Sequence, residues 1–149
     1  MPAAITIRPL TAGDASAVAA LSSDLGYPTD PAAMDARLKA LLAATGHALF
    51  GAEDGDGALA GWVHVCTRLL LIDPPSALVE GLVVAAGARR RGVGRALVAA
   101  AEDWARRGGA RTMRLRSGAP REDAHAFYRA LGYEVGKPAL GFEKALTAG

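Results

Sequence analysis

Cysteine is almost absent: Cys66 is the only one in 149 residues, which excludes an internal disulfide. It lies within a run that reads as a strand, where a lone thiol is a buried, inert side chain rather than a nucleophile. No apolar run approaches the roughly 20 residues of a membrane span. Residues 1–11 also lack the apolar stretch of a signal peptide, so a cytoplasmic protein is expected. The three histidines, His47, His64 and His125, have no ligand-like spacing, and no metal site is expected. Repeats, low-complexity tracts and linkers are missing as well. That leaves one domain spanning residues 1–149, with 51% apolar composition to fill its core. The net charge is only +2 and the pI near 9.0, a balance that suits a polyanionic ligand without demanding nucleic acid.

Against that background the most informative segment is Arg89-Arg90-Arg91-Gly92-Val93-Gly94. It sits between the apolar run Ala77 to Val84 and the helically periodic run Arg95 to Trp104, and so reads as strand, tight basic turn and helix start. Such a turn aims several backbone N–H groups and the positive end of a helix dipole at one point, and its glycines let the backbone approach a ligand closely. A phosphate or pyrophosphate is the natural guest. Two familiar phosphate motifs fail here. Gly87 and Gly92 have P-loop spacing, but Val93 and Gly94 stand where a lysine and a hydroxyl residue belong. The dinucleotide fingerprint fails because Leu97 occupies the place of its third glycine. Arg89, Arg90, Arg91 and Arg95 are a basic cluster, yet no aromatic residues interleave with them as stacking platforms, which ranks a nucleic-acid reading below a phosphorylated small molecule.

Ile5 to Arg8 alternates as a first strand. Thr11 to Asp14 then supplies a hydroxyl cap and an acid for a helix reaching about Asp24. Asp30-Pro31 opens a second helix with Met34, Leu38, Leu41 and Leu42 at helical spacing and Gly46 as its stop. His47 to Glu53 and Ala58 to Cys66 are strand-like and joined by Asp54-Gly55-Asp56-Gly57, a strong hairpin signal. Pro74-Pro75 breaks the chain before the strand Ala77 to Val84. The following helix buries Leu97, Ala101 and Trp104 and ends at Gly108-Gly109, and Thr112 to Arg116 alternates as another strand with Met113 and Leu115 inward. A last helix and a closing strand near Gly141 to Leu146 complete an α/β sandwich around one mixed sheet.

Within the strand Ala77 to Val84 the only acid is Glu80. A two-residue period places it on one face with Leu78, Leu82 and Val84. A lone carboxylate in an apolar strand is costly, which favours a function over a structural ion pair.

The Arg-x-x-Gly-x-Gly pattern of residues 89–94 resembles the acyl-CoA-binding signature of the GNAT superfamily of N-acetyltransferases. A second segment, Ala124-His125-Ala126-Phe127-Tyr128-Arg129-Ala130-Leu131-Gly132-Tyr133, is similar to that family's other signature. The resemblance implies an α+β sandwich whose mixed, mostly antiparallel sheet is splayed between the fourth and fifth strands and flanked by helices. It also implies acetyl-CoA as cosubstrate, no metal, and transfer of an acetyl group to an amine by direct attack in a ternary complex. Glu80 would then deprotonate the amine, and Tyr128 would protonate the departing thiolate. Leu82, Val83 and Val84 would lie along the pantetheine arm. Arg89, Arg90, Arg91, Gly92, Val93, Gly94 and Arg95 would hold the phosphates, with Ser117 and Phe127 completing the cofactor site. One departure stands out: many members carry an asparagine seven residues before the tyrosine, where this chain has Arg121, and Ser117 and Gly118 are the residues placed to compensate.

The two N-terminal helices would flank the acceptor site. The turn from Leu25 to Pro28 and the loops Arg68 to Pro75 and Lys137 to Leu140 would set specificity. Asp24, Asp30, Asp73 and Glu80 are acids available to attract a cationic amine. Small amines, aminoglycosides, amino acids and protein amines all remain open as acceptors, and a homodimer is expected on family grounds. The competing reading is a catalytically silent acyl-CoA-binding regulator of the same fold.

Overall fold

In the computed structural model of the protein, residues 4–24, 26–89, 91–116 and 122–147 are described, and the chain divides after Arg116 into two compact units. The first carries strand β1 (Thr6–Pro9), a 3-10 turn (Ala12–Asp14), helices α1 (Ala15–Asp24) and α2 (Pro31–Ala43), and strands β2 (His47–Glu53), β3 (Leu59–Arg68) and β4 (Ser76–Val84). A second 3-10 turn (Ala86–Ala88), helix α3 (Val93–Arg107) and strand β5 (Thr112–Leu115) follow. The second unit carries helix α4 (Glu122–Ala130).

Local chemistry accounts for these boundaries. Asp30 caps α2 by accepting the Ala33 N–H at 3.1 Å, and Pro31 takes the first helical position, where its missing N–H costs nothing. Ahead of α1, the Asp14 carboxylate accepts the Thr11 backbone N–H at 2.7 Å, while the Thr11 hydroxyl donates to that carboxylate rather than capping the helix itself. The same carboxylate receives Arg8 in a two-pronged pair at 2.9 Å on each arm, and Arg8 Nε reaches Glu53 at 2.7 Å. One guanidinium thus pins β1, the turn before α1 and the end of β2 together. Hydrogen bonding to Arg8 holds the Asp14 carboxyl below the ordinary carboxylate range.

The sheet runs in the order β1-β2-β3-β4-β5, antiparallel through β4, with β5 parallel to β4. The β2–β3 hairpin closes where its sequence predicts. Asp54 Oδ1 accepts the N–H groups of Asp56 and Ala58, and the Asp54 N–H bonds the Ala58 carbonyl at 2.9 Å. The parallel pair needs a crossover, and α3 supplies it. On one face of the sheet α3 packs Val93, Leu97, Ala101 and Ala105 against Ala52, Val63, Val65, Ala77 and Val79. On the other, α1 and α2 bring Val18 and Leu38 onto Leu49, with Trp62 alongside. Leu97 and Ala101 are fully buried and Trp104 packs half-buried beside them, the stripe expected from the helical spacing.

Gly61 marks where α3 comes closest to the sheet. A Cβ there would meet the Val83 carbonyl oxygen at 2.7 Å, with Leu97 Cδ1 at 3.1 Å and Val93 Cγ1 at 3.2 Å behind it. Backbone cannot yield as a side-chain tip does. Gly61→Ala is therefore expected to destabilise the fold by about 2–3 kcal/mol, read as a lower midpoint in chemical denaturation with an unchanged slope. An unaltered midpoint would show that the α3–sheet contact is looser than described.

The expected closing strand is not formed: residues 134–147 contain no strand, and Leu140, Phe142 and Leu146 are exposed. Their alternation is a strand pattern, but a strand satisfies its backbone only beside another, and the described residues of the second unit hold none.

Candidate active site

The site is built around an irregularity in β4. Val65 on β3 lies opposite Val79, and His64, the residue before Val65, lies opposite Gly81, so Glu80 is the extra residue of a β-bulge. On the other edge of β4, pairing with β5 runs from Ser76 opposite Thr112 to Val79 opposite Leu115 and ends there. The bulge and the end of the parallel ladder therefore coincide at one residue. A bulge bends and further twists its strand, and β5 ends at Leu115 beside it. Among the described residues of this unit, Glu80 to Val84 have no neighbour on that edge, which is the splay expected between the fourth and fifth strands.

The bulge also corrects the facial assignment drawn from simple alternation. Glu80 does share a face with Leu78, but Leu82 and Val84 do not follow it. They lie opposite Val63 and Gly61 and pack into the core beneath α3. Val83, opposite Trp62, takes their place on the face of Glu80. Gly81 provides a floor for the Trp62 ring, since a Cβ there would stand 2.9 Å from two ring atoms, and Trp62 Nε1 donates to Ser22 Oγ on α1 at 3.1 Å. Glu80 itself is exposed.

Cys66, expected to be a buried thiol, lies beside Glu80. It is buried, and its Sγ donates to Glu80 Oε1 at 3.5 Å. Burial first, and the Glu80 charge second, push the thiol upward from its ordinary value. It is held protonated, the opposite of an activated thiolate.

Two residues that sequence spacing had set aside meet on this face. His47 Nδ1 and His64 Nε2 are 2.9 Å apart, with ring centroids separated by 5.2 Å. His47 lies opposite Cys66 and His64 opposite Leu49, so the two rings are diagonal neighbours across the β2–β3 hairpin. Burial and the neighbouring His47 push His64 below its ordinary value, with Glu80 acting in opposition.

Downstream of β4, the chain crosses the turn Ala86–Ala88 and enters α3 through Gly92, whose φ of 80° and ψ of 9° lie in the left-handed region. The first intrahelical bond is Ala96 N–H to the Gly92 carbonyl at 3.0 Å. The N–H groups of Val93, Gly94 and Arg95 thus precede the helical ladder. No side chain caps this end and no acid lies in its first turn, leaving the dipole's positive end uncompensated. Arg89, Arg91 and Arg95 are exposed around it, while Val93 turns into the core. Arg90 lies outside the described residues, as do Ser117, Gly118 and Arg121.

In the second unit, α4 ends in a paired closure. The Tyr133 N–H bonds the Tyr128 carbonyl and the Gly132 N–H bonds the Arg129 carbonyl, both at 3.0 Å, with Gly132 at φ 95°. The Tyr133 ring lies edge-on to Tyr128 with centroids 6.1 Å apart, and the Phe127 ring lies edge-on to it with centroids 5.1 Å apart. Tyr128 thus makes edge contacts with two aromatic neighbours, which mount its phenol. Leu-Gly-Tyr at residues 131–133 is the sequence signal for this mount.

Comparison with known proteins agrees with this geometry. The profile of the acetyltransferase (GNAT) family matches residues 16–133. An aminoglycoside N(6')-acetyltransferase type 1 of Stenotrophomonas maltophilia is 33% identical over 145 residues, covering 95% of this chain and 94% of the relative. A solved aminoglycoside N-acetyltransferase in complex with CoA superposes with a TM-score of 0.87 at 24% identity over 97% of both chains. A solved transcriptional regulator of Bacillus halodurans gives 0.86 at 24% identity, over 95% of this chain and all (100%) of that one. From the splayed sheet and the two motifs to these matches, the chain belongs to the GNAT family of acetyltransferases.

Proposed function

We propose that this protein moves the acetyl group of acetyl-CoA to a primary amine by direct attack in a ternary complex, with aminoglycoside-like polyamines as the acceptor class. The observation that carries this reading is the coincidence of the Glu80 bulge with the end of the β4–β5 ladder, which leaves a run of strand backbone leading to the bare N-terminus of α3. An extended pantetheine arm can hydrogen-bond such a run as an added strand along Leu82, Val83 and Val84. One of these N–H groups then faces the thioester oxygen as it gains charge. The turn from Arg89 to Arg95, with Arg90, takes the phosphates. Ser117 and Phe127 complete the cofactor site on the family pattern.

In the reaction itself Glu80 takes a proton from the acceptor ammonium. The freed amine nitrogen forms a bond to the acetyl carbon, the C–S bond breaks, and Tyr128 protonates the thiolate. Direct attack rather than an acetyl-enzyme fits the thiol of Cys66, which is held protonated beneath Glu80.

The acceptor class rests on the Stenotrophomonas relative, matched along nearly its whole length. Among the acids considered for attracting it, Asp30 is committed to capping α2 and Asp73 lies 3.8 Å from Arg114, whereas Asp24 and Glu80 are exposed. The reading is tested by incubating the protein with acetyl-CoA and a panel of aminoglycosides, simple amines, amino acids and peptides, with mass spectrometry of the products. Acetylated aminoglycoside is the expected result. Acetylation confined to peptide amines would overturn the acceptor class. Tight acetyl-CoA binding with no product from any amine would favour the silent regulator, a reading the fold shared with the Bacillus regulator keeps in view.

A further inference from the structure

Glu80 does not stand alone on its face. Behind it the hairpin places His64 and, 2.9 Å further on, His47, the first residue of β2. His64 is half-buried on the central strand, directly opposite Gly81, the residue after Glu80. His47 lies at the end of the sheet, so the pair leads from the open edge of β4 across β3 to the beginning of β2. The charged and titratable groups around it are Glu80 from β4 and Cys66 and Arg68 from β3 itself. From α1, on the same face, the one ionisable side chain is Asp24, which is exposed. From α2, Asp35 and Lys39 pair with each other at 2.9 Å and Arg37 is exposed. Nothing on either helix displaces the imidazole contact.

We propose that Glu80, His64 and His47 form a proton path that carries the acceptor's proton away from the reacting amine. This rests on the transferase reading and deepens it. One N–H bond of the substrate ammonium breaks and the proton moves to the Glu80 carboxylate. Glu80 passes it to the free ring nitrogen of His64, and His64 Nε2–H passes a proton to His47 Nδ1. His47 releases a proton from its other nitrogen to water; each imidazole is left in its other tautomer, which ring rotation or proton exchange with water restores before the next acceptor, and no electrons are exchanged. Glu80 is the group that meets substrate. His64 and His47 act through it and are positioning residues of the path. The arrangement answers a chemical need: a carboxylate is a weak base for an ammonium, and handing the proton on to a neutral imidazole keeps Glu80 ready for the next acceptor. His64 is suited to that relay because burial and its partner keep the ring neutral at physiological pH.

The test compares wild type, His64→Gln and His47→Gln by thiol release across about pH 5.5 to 9, the range over which imidazoles titrate, using an amine the wild type acetylates. Glutamine keeps a polar side chain in place but cannot relay. In His64→Gln, kcat is expected to fall at least about tenfold and its acidic limb to flatten, with the KM for acetyl-CoA unchanged. His47→Gln is expected to shift the same limb with a smaller loss, about threefold. It carries the test if thermal unfolding shows that His64→Gln does not fold. Variants that keep the wild-type rate and pH profile would overturn the path while leaving the transferase reading intact. A wild type that releases thiol with no amine would overturn both.

Discussion

Replacing Tyr128 by phenylalanine is expected to lower kcat about 100-fold, some 2.7 kcal/mol of barrier, while acetyl-CoA affinity stays within about twofold of wild type. The substitution removes one oxygen and keeps the aromatic ring. The ring contacts with Phe127 and Tyr133 are made by the aromatic faces and edges, and the closure at Gly132 is made by backbone. These contacts survive the substitution, and the quantity it is expected to remove is the proton donated to the leaving thiolate. A thiolate can leave unprotonated, so the loss is large without being total. Two measurements check it: steady-state thiol release and calorimetric titration of acetyl-CoA. A kcat within threefold of wild type would remove Tyr128 from the mechanism, and a parallel collapse of affinity would make it a binding residue instead.

Gly92→Val is expected to weaken acetyl-CoA binding at least about 100-fold with the domain still folded, by two separable routes. The first is backbone. Gly92 sits at φ 80°, a conformation that strains a β-branched residue by about 1–2 kcal/mol or more, and relief of that strain would swing the N–H groups of Val93 and Gly94 away from a common point. The second is occupancy. Among the described residues, and leaving aside its chain neighbours, nothing lies within 4 Å of where a Cβ would stand, so the side chain would project into open space at the helix end, the place proposed for the phosphates. Gly92→Asn separates the two, because asparagine tolerates this backbone region. Affinity partly retained in the asparagine variant and lost in the valine variant would assign the larger share to strain. Affinity within about threefold of wild type in both would mean that the phosphates bind elsewhere.

These outcomes bear on how far the residues alone could carry the reading. The turn before α3 was legible because glycine, arginine and the change of period from strand to helix act locally. Likewise Asp54-Gly55-Asp56-Gly57 announced its hairpin and Pro74-Pro75 the beginning of β4 at Ser76. The bulge at Glu80 was scarcely legible. It is a slip between two strands whose one local signal is Gly81, an isolated glycine inside the run, and strict alternation passed over it and put Leu82 and Val84 on the wrong face. The pairing of His47 with His64 lay between these cases. Spacing along the chain showed nothing, but the hairpin register that sets His47 opposite Cys66 and His64 opposite Leu49 makes them diagonal neighbours. Counting back from the Asp54 turn would have missed them, because Ala60 is an extra residue between the Glu53–Leu59 and Ala52–Gly61 pairs and shifts the register by one. The β3–β4 register sets Cys66 opposite Leu78, so Glu80, two residues on and on the same face, is its diagonal neighbour and accepts from its thiol. Residues 140–146 show the converse, a strand pattern that forms no strand, because alternation states a preference and pairing requires a neighbour.

The central claim, acetyl transfer from acetyl-CoA to an amine without an acetyl-enzyme, is tested most directly by following thiol release from acetyl-CoA before and after an amine acceptor is added, with mass spectrometry of both protein and acceptor. The expected result is no release before the addition, release after it, and the acetyl group found on the acceptor alone. A burst of thiol before any amine is present, with the acetyl group on the protein, would contradict direct attack. Silence after every amine would contradict the transfer itself.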